Sequence, residues 1–327
     1  MSNFWRGKRL FITGCSGLLG SWLTAELIQK GASVLGLIHS DPSHSLLTYM
    51  GTIEHIDTIQ GDIRDFALIA KILAENPVDI IFHLAAQTQV GVANRDPMTT
   101  FDTNIKGTWT LLEAARCQPQ PPGLIIASSD KAYGEQPGLP YHEDTPLLGQ
   151  HPYDVSKACA DLIARTYAHS YNLPVATARC ANLYGGGDLN WRRIVPGTIR
   201  SVLQGERPVV RSDGTAKRNY IFVQDAVGGY LTLGQNLHRP DVCGQAFNFG
   251  VEAPTTALDM IYTIISLSPR PHLQPIILNE AQNEIQEQHL CSRKAQEILN
   301  WQPRYSLENG LRQTISWYEH YLAKSAL

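Results

Sequence analysis

KRLFITGCSGLLG, residues 8–20, is the stretch on which the fold turns. Lys8 to Thr13 reads as a strand, and it runs straight into a turn carrying Gly14, Gly17 and Gly20 that opens a helix over Leu18–Lys30. Glycines in such a turn let backbone approach a pyrophosphate, and the helix N-terminus supplies amide donors and the positive end of its dipole. A glycine triplet alone is weak evidence. Set between a strand and a helix, it points to a dinucleotide.

Outward from that turn the alternation continues. Ser33–Ile38, Ile56–Gln60, Asp79–Leu84, Leu124–Ala127 and Val175–Arg179 read as further strands, with helices over Phe66–Glu75 and from Pro97 to Cys117. Strands and helices in alternation imply a parallel sheet covered on both faces, with its ligand outside the strands' carboxyl ends. Gly14, Asp62, Ala85 and Ser129 all fall at such ends. Asp62 can accept the adenine amino group or cap the helix that begins at Phe66. Ala85 and Ala86 are small enough for a cofactor to pass close by. Asn104, polar in an otherwise packed helix, is expected to bond to the backbone of the active-site strand. The second strand ends on Ile38, His39 and Ser40, with neither a carboxylate for ribose hydroxyls nor an arginine for a phosphate. NAD is favoured there and NADP is left open.

Two segments carry the chemistry: SSDKAYG (128–134) and YDVSK (153–157). Tyr153 and Lys157, four residues apart at the start of a helix, share a face. A phenol titrates near pH 10 when free, and an ammonium beside it favours the phenolate. A strand-end hydroxyl, a Tyr and a Lys can together take a proton from a sugar alcohol while a cofactor takes the hydride. Such Tyr/Lys pairs also arise by chance, so the glycine turn upstream decides the matter.

Bulk properties narrow the field. The chain has 327 residues, 43% hydrophobic and 17% charged, which is globular rather than disordered. A net charge of −3 with no basic run disfavours nucleic acid as a partner. Six scattered cysteines without a C-x-x-C imply free thiols and a cytoplasmic location. The eleven histidines show no ligand spacing, so no metal is expected. No signal peptide or apolar run of membrane-spanning length is apparent, so no membrane partner is expected.

With the glycine turn in its G-x-x-G-x-x-G form, HLAAQ (83–87), Asn104, Ser129 and Tyr153/Lys157 in this order, the chain resembles the extended short-chain dehydrogenase/reductases acting on nucleotide sugars. FWRGKRLFITG (4–14), GSWL (20–23), SDKAY (129–133), YDVSKACAD (153–161) and NLYGGGD (182–188) look most like the 4,6-dehydratases, and among them the CDP-glucose enzymes, although Ser129 stands where Thr is usual. The resemblance implies a Rossmann-type doubly wound sheet with a smaller mixed α/β substrate-binding domain. It assigns 1–183 plus about 217–250 to the dinucleotide, and 184–216 with 251–327 to the nucleotide sugar.

It further implies NAD as cofactor, a nucleotide-diphosphate hexose as partner, and a homodimer formed through the Tyr/Lys helix. Ser129, Asp130, Lys131, Tyr153 and Lys157 become the catalytic set. Gly14, Ser16, Gly17, Leu18, Leu19, Gly20, His39, Asp62, Ile63, Leu84, Ala85, Ala86, Gln87, Asn104 and Cys180, with Tyr153 and Lys157, become cofactor contacts. Gln87, Ser129, Asn182, Arg192, Arg193, Ile194, Val195 and Arg218 become substrate contacts.

By this carry-over Tyr153 takes the 4-hydroxyl proton, Ser129 steadies that hydroxyl, Asp130 protonates the departing 6-hydroxyl and Lys131 removes the proton on carbon 5. A base must be uncharged, so Lys131 needs burial or a nearby cation. The bland alternative is an exposed loop pair. GGGDLNWRR (185–193) is expected to be a mobile loop, Asp225 a helix cap, and Trp301 a core residue, while Trp191 is expected to pack, with stacking on a base as the alternative. A 4-epimerase is the rival function, followed by a 4-ketosugar reductase. A cofactor-sensing regulator is disfavoured by the intact Ser129, Tyr153 and Lys157.

Overall fold

The computed structural model describes residues 4–280 and 285–325. The first half alternates as expected: β1 (Arg9–Thr13), α1 (Leu18–Gln29), β2 (Ser33–Ile38), β3 (Asp57–Gln60), β4 (Ile80–His83), β5 (Gly123–Ser129) and β6 (Val175–Cys180). With a seventh strand, Ala246–Phe249, they form one sheet in the order seventh strand, β6, β5, β4, β1, β2, β3. Every neighbouring pair is parallel. The order reverses between β1 and β4, and a crevice opens there at the carboxyl ends.

The sheet is buried on both faces, which is why its central strands read as continuous apolar runs. Side chains alternate across β1: Leu10 and Ile12 enter one apolar cluster with Phe82 and Phe247, while Phe11 enters the other with Ile81 and Leu124. A third cluster lies in the other half, where the helices Ile194–Gln204, Ala257–Leu267 and Leu307–Ser325 bury Ile199, Ile264 and Ile315.

Three local expectations are corrected. The helix expected from Pro97 to Cys117 is interrupted: Pro97–Phe101 and Gly107–Arg116 are α-helical, but Asp102–Lys106 forms a π turn. Asp225 lies inside the helix Val223–Asn236, whose N-cap is Phe222. Its carboxylate instead accepts from the backbone amides of Arg304 (2.7 Å) and Tyr305 (3.3 Å), tying the C-terminal segment down. Trp301 is buried as expected, edge-on to Phe249 at 4.9 Å, and donates to the Asp225 carbonyl.

The third correction concerns residues 185–188, which are packed rather than loose. A Cβ on Gly186 would fall 2.3 Å from the Trp317 ring, and one on Gly187 would fall 2.3 Å from Leu46. Trp22 donates to the Gly186 carbonyl at 2.9 Å, and Asp188 is buried. Trp191 packs on Tyr318 at 5.6 Å, with the Arg200 guanidinium 5.2 Å from its ring.

Candidate active site

One cleft of about 930 Å³ gathers the sequence-derived residues. The glycine turn, His39, Asp62, Ile63 and Leu84 to Gln87 form its sheet side. Ser129 to Lys131, Tyr153, Lys157 and Cys180 line its middle. Asn182, Arg192, Arg193, Ile194, Val195 and Arg218 line its opposite wall. Only Asn104 among the named site residues is absent from this lining.

The glycines of the turn answer to different demands. Gly14 has φ +73° and runs against the end of β4, where an added Cβ would meet Ala85 N at 2.7 Å. Gly17 has an ordinary φ of −76°, and its nearest obstacle is 3.4 Å away. Protein packing therefore does not require glycine at position 17. The open space lies at the N-terminus of α1, where no side chain caps the helix and no acid sits in the first turn. That arrangement suits a pyrophosphate, so the residues present fit a dinucleotide.

Asp62 accepts from the Arg64 guanidinium (2.6 Å to Nη2) and from the Arg64 amide (2.9 Å), which holds its carboxyl down at about 2. It does not cap the following helix; Asp65 does, accepting from Leu68 N at 3.1 Å. His39 is largely exposed, 3.6 Å from Asp62. Arg64 was missed by sequence reasoning, although its position two residues beyond Asp62 was a usable local signal.

Asn104 works behind the cleft. Its Oδ1 accepts from Gln87 N (2.7 Å), and its Nδ2 donates to Gln87 O (3.0 Å) and to Ser156 Oγ (2.8 Å). The expected partner was the active-site strand; the observed one is the loop after β4, clamped to the Tyr/Lys helix. The π turn holds Asn104 in this buried position, and such turns recur at functional sites.

The catalytic segment leaves β5 in a tight turn, Asp130–Tyr133. Tyr133 anchors it from beneath: its hydroxyl donates to Asn248 Oδ1 and accepts from Arg179 Nη1, both at 2.8 Å. Arg179 is itself held by Asp161 in a fully buried pair. Asp130 is 1% exposed, so the pair it makes with Lys131 is not an exposed loop feature. Ser129 Oγ donates to Asp130 Oδ1 at 2.9 Å, and Lys131 Nζ lies 3.3 Å from Asp130 Oδ2. Lys131 also donates to Gln288 Oε1, a neighbour no sequence pattern announced.

Tyr153 and Lys157 sit in the first turns of the helix Pro152–Tyr171, which Pro152 opens at its first position. Burial pushes the Tyr153 phenol up to about 12, while the nearby Ser129 hydroxyl and the charge of Arg193 pull the other way. Lys157 was expected to exert that pull. Instead its Nζ donates to the Ala127 carbonyl at 2.9 Å, and burial brings its ammonium down to about 8. Cys180 and Tyr230 both line this part of the cleft, and burial pushes the thiol up to about 12. On the far side Arg193 reaches Asp188 at 3.1 Å, and Asn182 Nδ2 donates to Asn219 O.

The doubly wound sheet, glycine turn and Ser/Tyr/Lys constellation define an extended short-chain dehydrogenase/reductase. Residues 11–314 match the family model for GDP-mannose 4,6 dehydratase, and the chain belongs to that family. A CDP-glucose 4,6-dehydratase of Salmonella typhimurium is 30% identical over 98% of this chain and 93% of its own length. A dTDP-glucose 4,6-dehydratase from Bacillus anthracis, solved in complex with NAD, superposes with a TM-score of 0.84 at 26% identity, covering 96% of this chain and 97% of its own. A UDP-glucose 4-epimerase from Thermotoga maritima, solved with UDP-glucose, superposes with a TM-score of 0.88 at 25% identity, covering 96% and 99%. Among the described residues no helix is long and apolar enough to cross a membrane.

Proposed function

We propose that this protein is a nucleotide-sugar 4,6-dehydratase that converts an NDP-hexose to the NDP-4-keto-6-deoxyhexose and water, with CDP-glucose the favoured substrate and NAD the resident cofactor. The observation that carries the reading is the pairing of buried Asp130 with part-buried Lys131 beside Ser129 and Tyr153. The glycine turn, Asp62 and Lys157 would hold NAD, which would supply a hydride acceptor and donor beside carbons 4 and 6 of the sugar.

Tyr153 accepts the proton of the 4-hydroxyl while Ser129 steadies its oxygen. A phenol that burial holds near 12 is drawn toward ionisation by the nearby Ser129 hydroxyl and the Arg193 charge. The ketone then acidifies the proton on carbon 5. Neutral Lys131 removes it, and protonated Asp130 gives a proton to the departing 6-hydroxyl, which leaves as water. The working pair differs from the resting ion pair only by the position of one proton, and 3.3 Å separates the two groups. Elimination leaves Lys131 protonated and Asp130 ionised; Lys131 gives its proton back to carbon 5 when carbon 6 is reduced, and the 4-hydroxyl proton held by Tyr153 passes to Asp130, which restores the site.

On the other wall, Asn182, Arg192, Arg193 and Arg218 are assigned to the diphosphate and nucleotide. The same proposal covers the division of the chain, with 1–183 and about 217–250 serving the dinucleotide and the rest the nucleotide sugar. It also covers a cytoplasmic homodimer formed through the Tyr/Lys helix and its neighbour. Half-exposed Trp109 and Leu162 on those two helices support such a face.

Epimerisation is the second reading, favoured by the superposition on the UDP-glucose 4-epimerase. It shares the first step but has no use for an acid and a base beside carbons 5 and 6. Incubation with CDP-, GDP-, UDP- and dTDP-hexoses, with no cofactor added, separates the two. A product lighter by one water, formed fastest from CDP-glucose, is the expected result. An isomer of equal mass overturns the dehydratase reading.

A further inference from the structure

The acid–base pair has a third member that comes from the opposite half of the molecule. Gln288 is fully buried on the short strand Glu287–Gln288, 157 residues from Lys131 in sequence. Its amide oxygen accepts from Lys131 Nζ, and its amide nitrogen donates to the Asp130 carbonyl at 3.0 Å. One side chain thus holds the backbone of the acid and the amine of the base together. Its strand pairs in parallel with Lys217–Arg218, and the Gln288 carbonyl accepts from Asn219 N at 3.3 Å. Arg218 of that neighbouring strand lines the cleft.

We propose that Gln288 is a positioning residue for the elimination step, aiming the Lys131 amine and setting how readily the Asp130–Lys131 pair gives up its shared proton. The inference rests on the dehydratase reading for its catalytic meaning. The amide oxygen and the Asp130 carboxylate both lie against the Lys131 amine, so a change of charge at position 288 acts on it directly. Asp154, on the Tyr/Lys helix, is the other charged group that acts with Lys131. The flanking Glu287 and His289 pair with each other at 3.3 Å, and Glu287 also with Lys217 at 3.7 Å. Gln288 is therefore the neutral partner whose replacement changes the field at the amine with the least disturbance.

The test uses the full chain with its bound cofactor and two variants, Gln288→Glu and Gln288→Leu. Losing the pair's proton sets the alkaline limb of the kcat profile. A carboxylate at position 288 moves that limb up by about one pH unit or more, and Leu moves it down by a comparable amount. The same opposed shifts are expected in the pH midpoint for acylation of the Lys131 amine in protein without substrate, followed by mass spectrometry. A Gln288→Asn variant controls for packing. Limbs and acylation midpoints that stay put, or move in the same direction in both variants, overturn the role of Gln288. Unimpaired water loss in Lys131→Met would instead overturn the base assignment, while the acylation midpoints still test Gln288 separately.

Discussion

Two runs of glycine open the two walls of the cleft, and they serve opposite ends. In the turn after β1, the space beside Gly17 is left open in front of an uncapped helix. In the turn beginning at Gly185, the space beside Gly186 and Gly187 is filled by Trp317 and Leu46. The first run is a cradle whose emptiness answers to a ligand. The second is a packing joint, where small residues let an aromatic ring and a neighbouring helix close in. Glycine content alone thus says little about mobility; what a Cβ would touch says a great deal.

The largest effect should come from the cradle wall. Tyr153→Phe is expected to lower turnover by about 10³-fold or more while leaving the melting temperature within a degree or two, because only the hydroxyl is lost. Near-native activity would mean that the proton leaves by another route. Asp130→Asn should slow water loss by about 10²- to 10³-fold yet still permit oxidation at carbon 4, seen as transient absorbance of reduced cofactor on mixing with substrate. If oxidation fails equally, Asp130 is holding the turn rather than acting as an acid.

Smaller effects sharpen the contrast between the two glycine runs. Gly186→Ala should cost roughly 1–3 kcal/mol in denaturant unfolding, the range for overpacking a tight site. Gly17→Ala should leave unfolding unchanged or raise stability by up to about 1 kcal/mol, through a less flexible unfolded chain. Its cost should appear as weaker cofactor binding, read by fluorescence titration. The reverse pattern would erase the distinction between cradle and joint.

A pH-dependent effect concerns Lys157. Its ordinary value of 10.5 is depressed to about 8 by burial, so the folded protein binds fewer protons than the unfolded chain between those values. Stability contributed by this site therefore rises with pH across that window, and below pH 8 the cost of burying the charge is fully present. In cofactor-free protein, Lys157→Met should melt higher than the parent at pH 7, with the gap narrowing toward pH 10. A gap that does not change with pH would mean that Lys157 stays charged throughout.

Much of this was legible in the chain because the deciding signals are local. Strand, turn and helix follow one another within thirteen residues at the first glycine run, and Tyr153 and Lys157 share a face through helical geometry alone. Apolar runs over β4, β5 and β6 announced a sheet buried on both sides, so the order of elements and the position of the cleft could be read directly. The family resemblance added roles to positions that were already marked.

What required the folded protein was every partner brought from far along the chain. Asn104 clamps Gln87 and Ser156, Asp225 holds Arg304 and Tyr305, Arg179 braces Tyr133, and Gln288 reaches Lys131. A buried polar group must be satisfied by some partner, and composition tells that one exists. Sequence spacing does not tell which, because hydrogen bonds between distant segments are set by how the elements pack, and only the tertiary structure decides that.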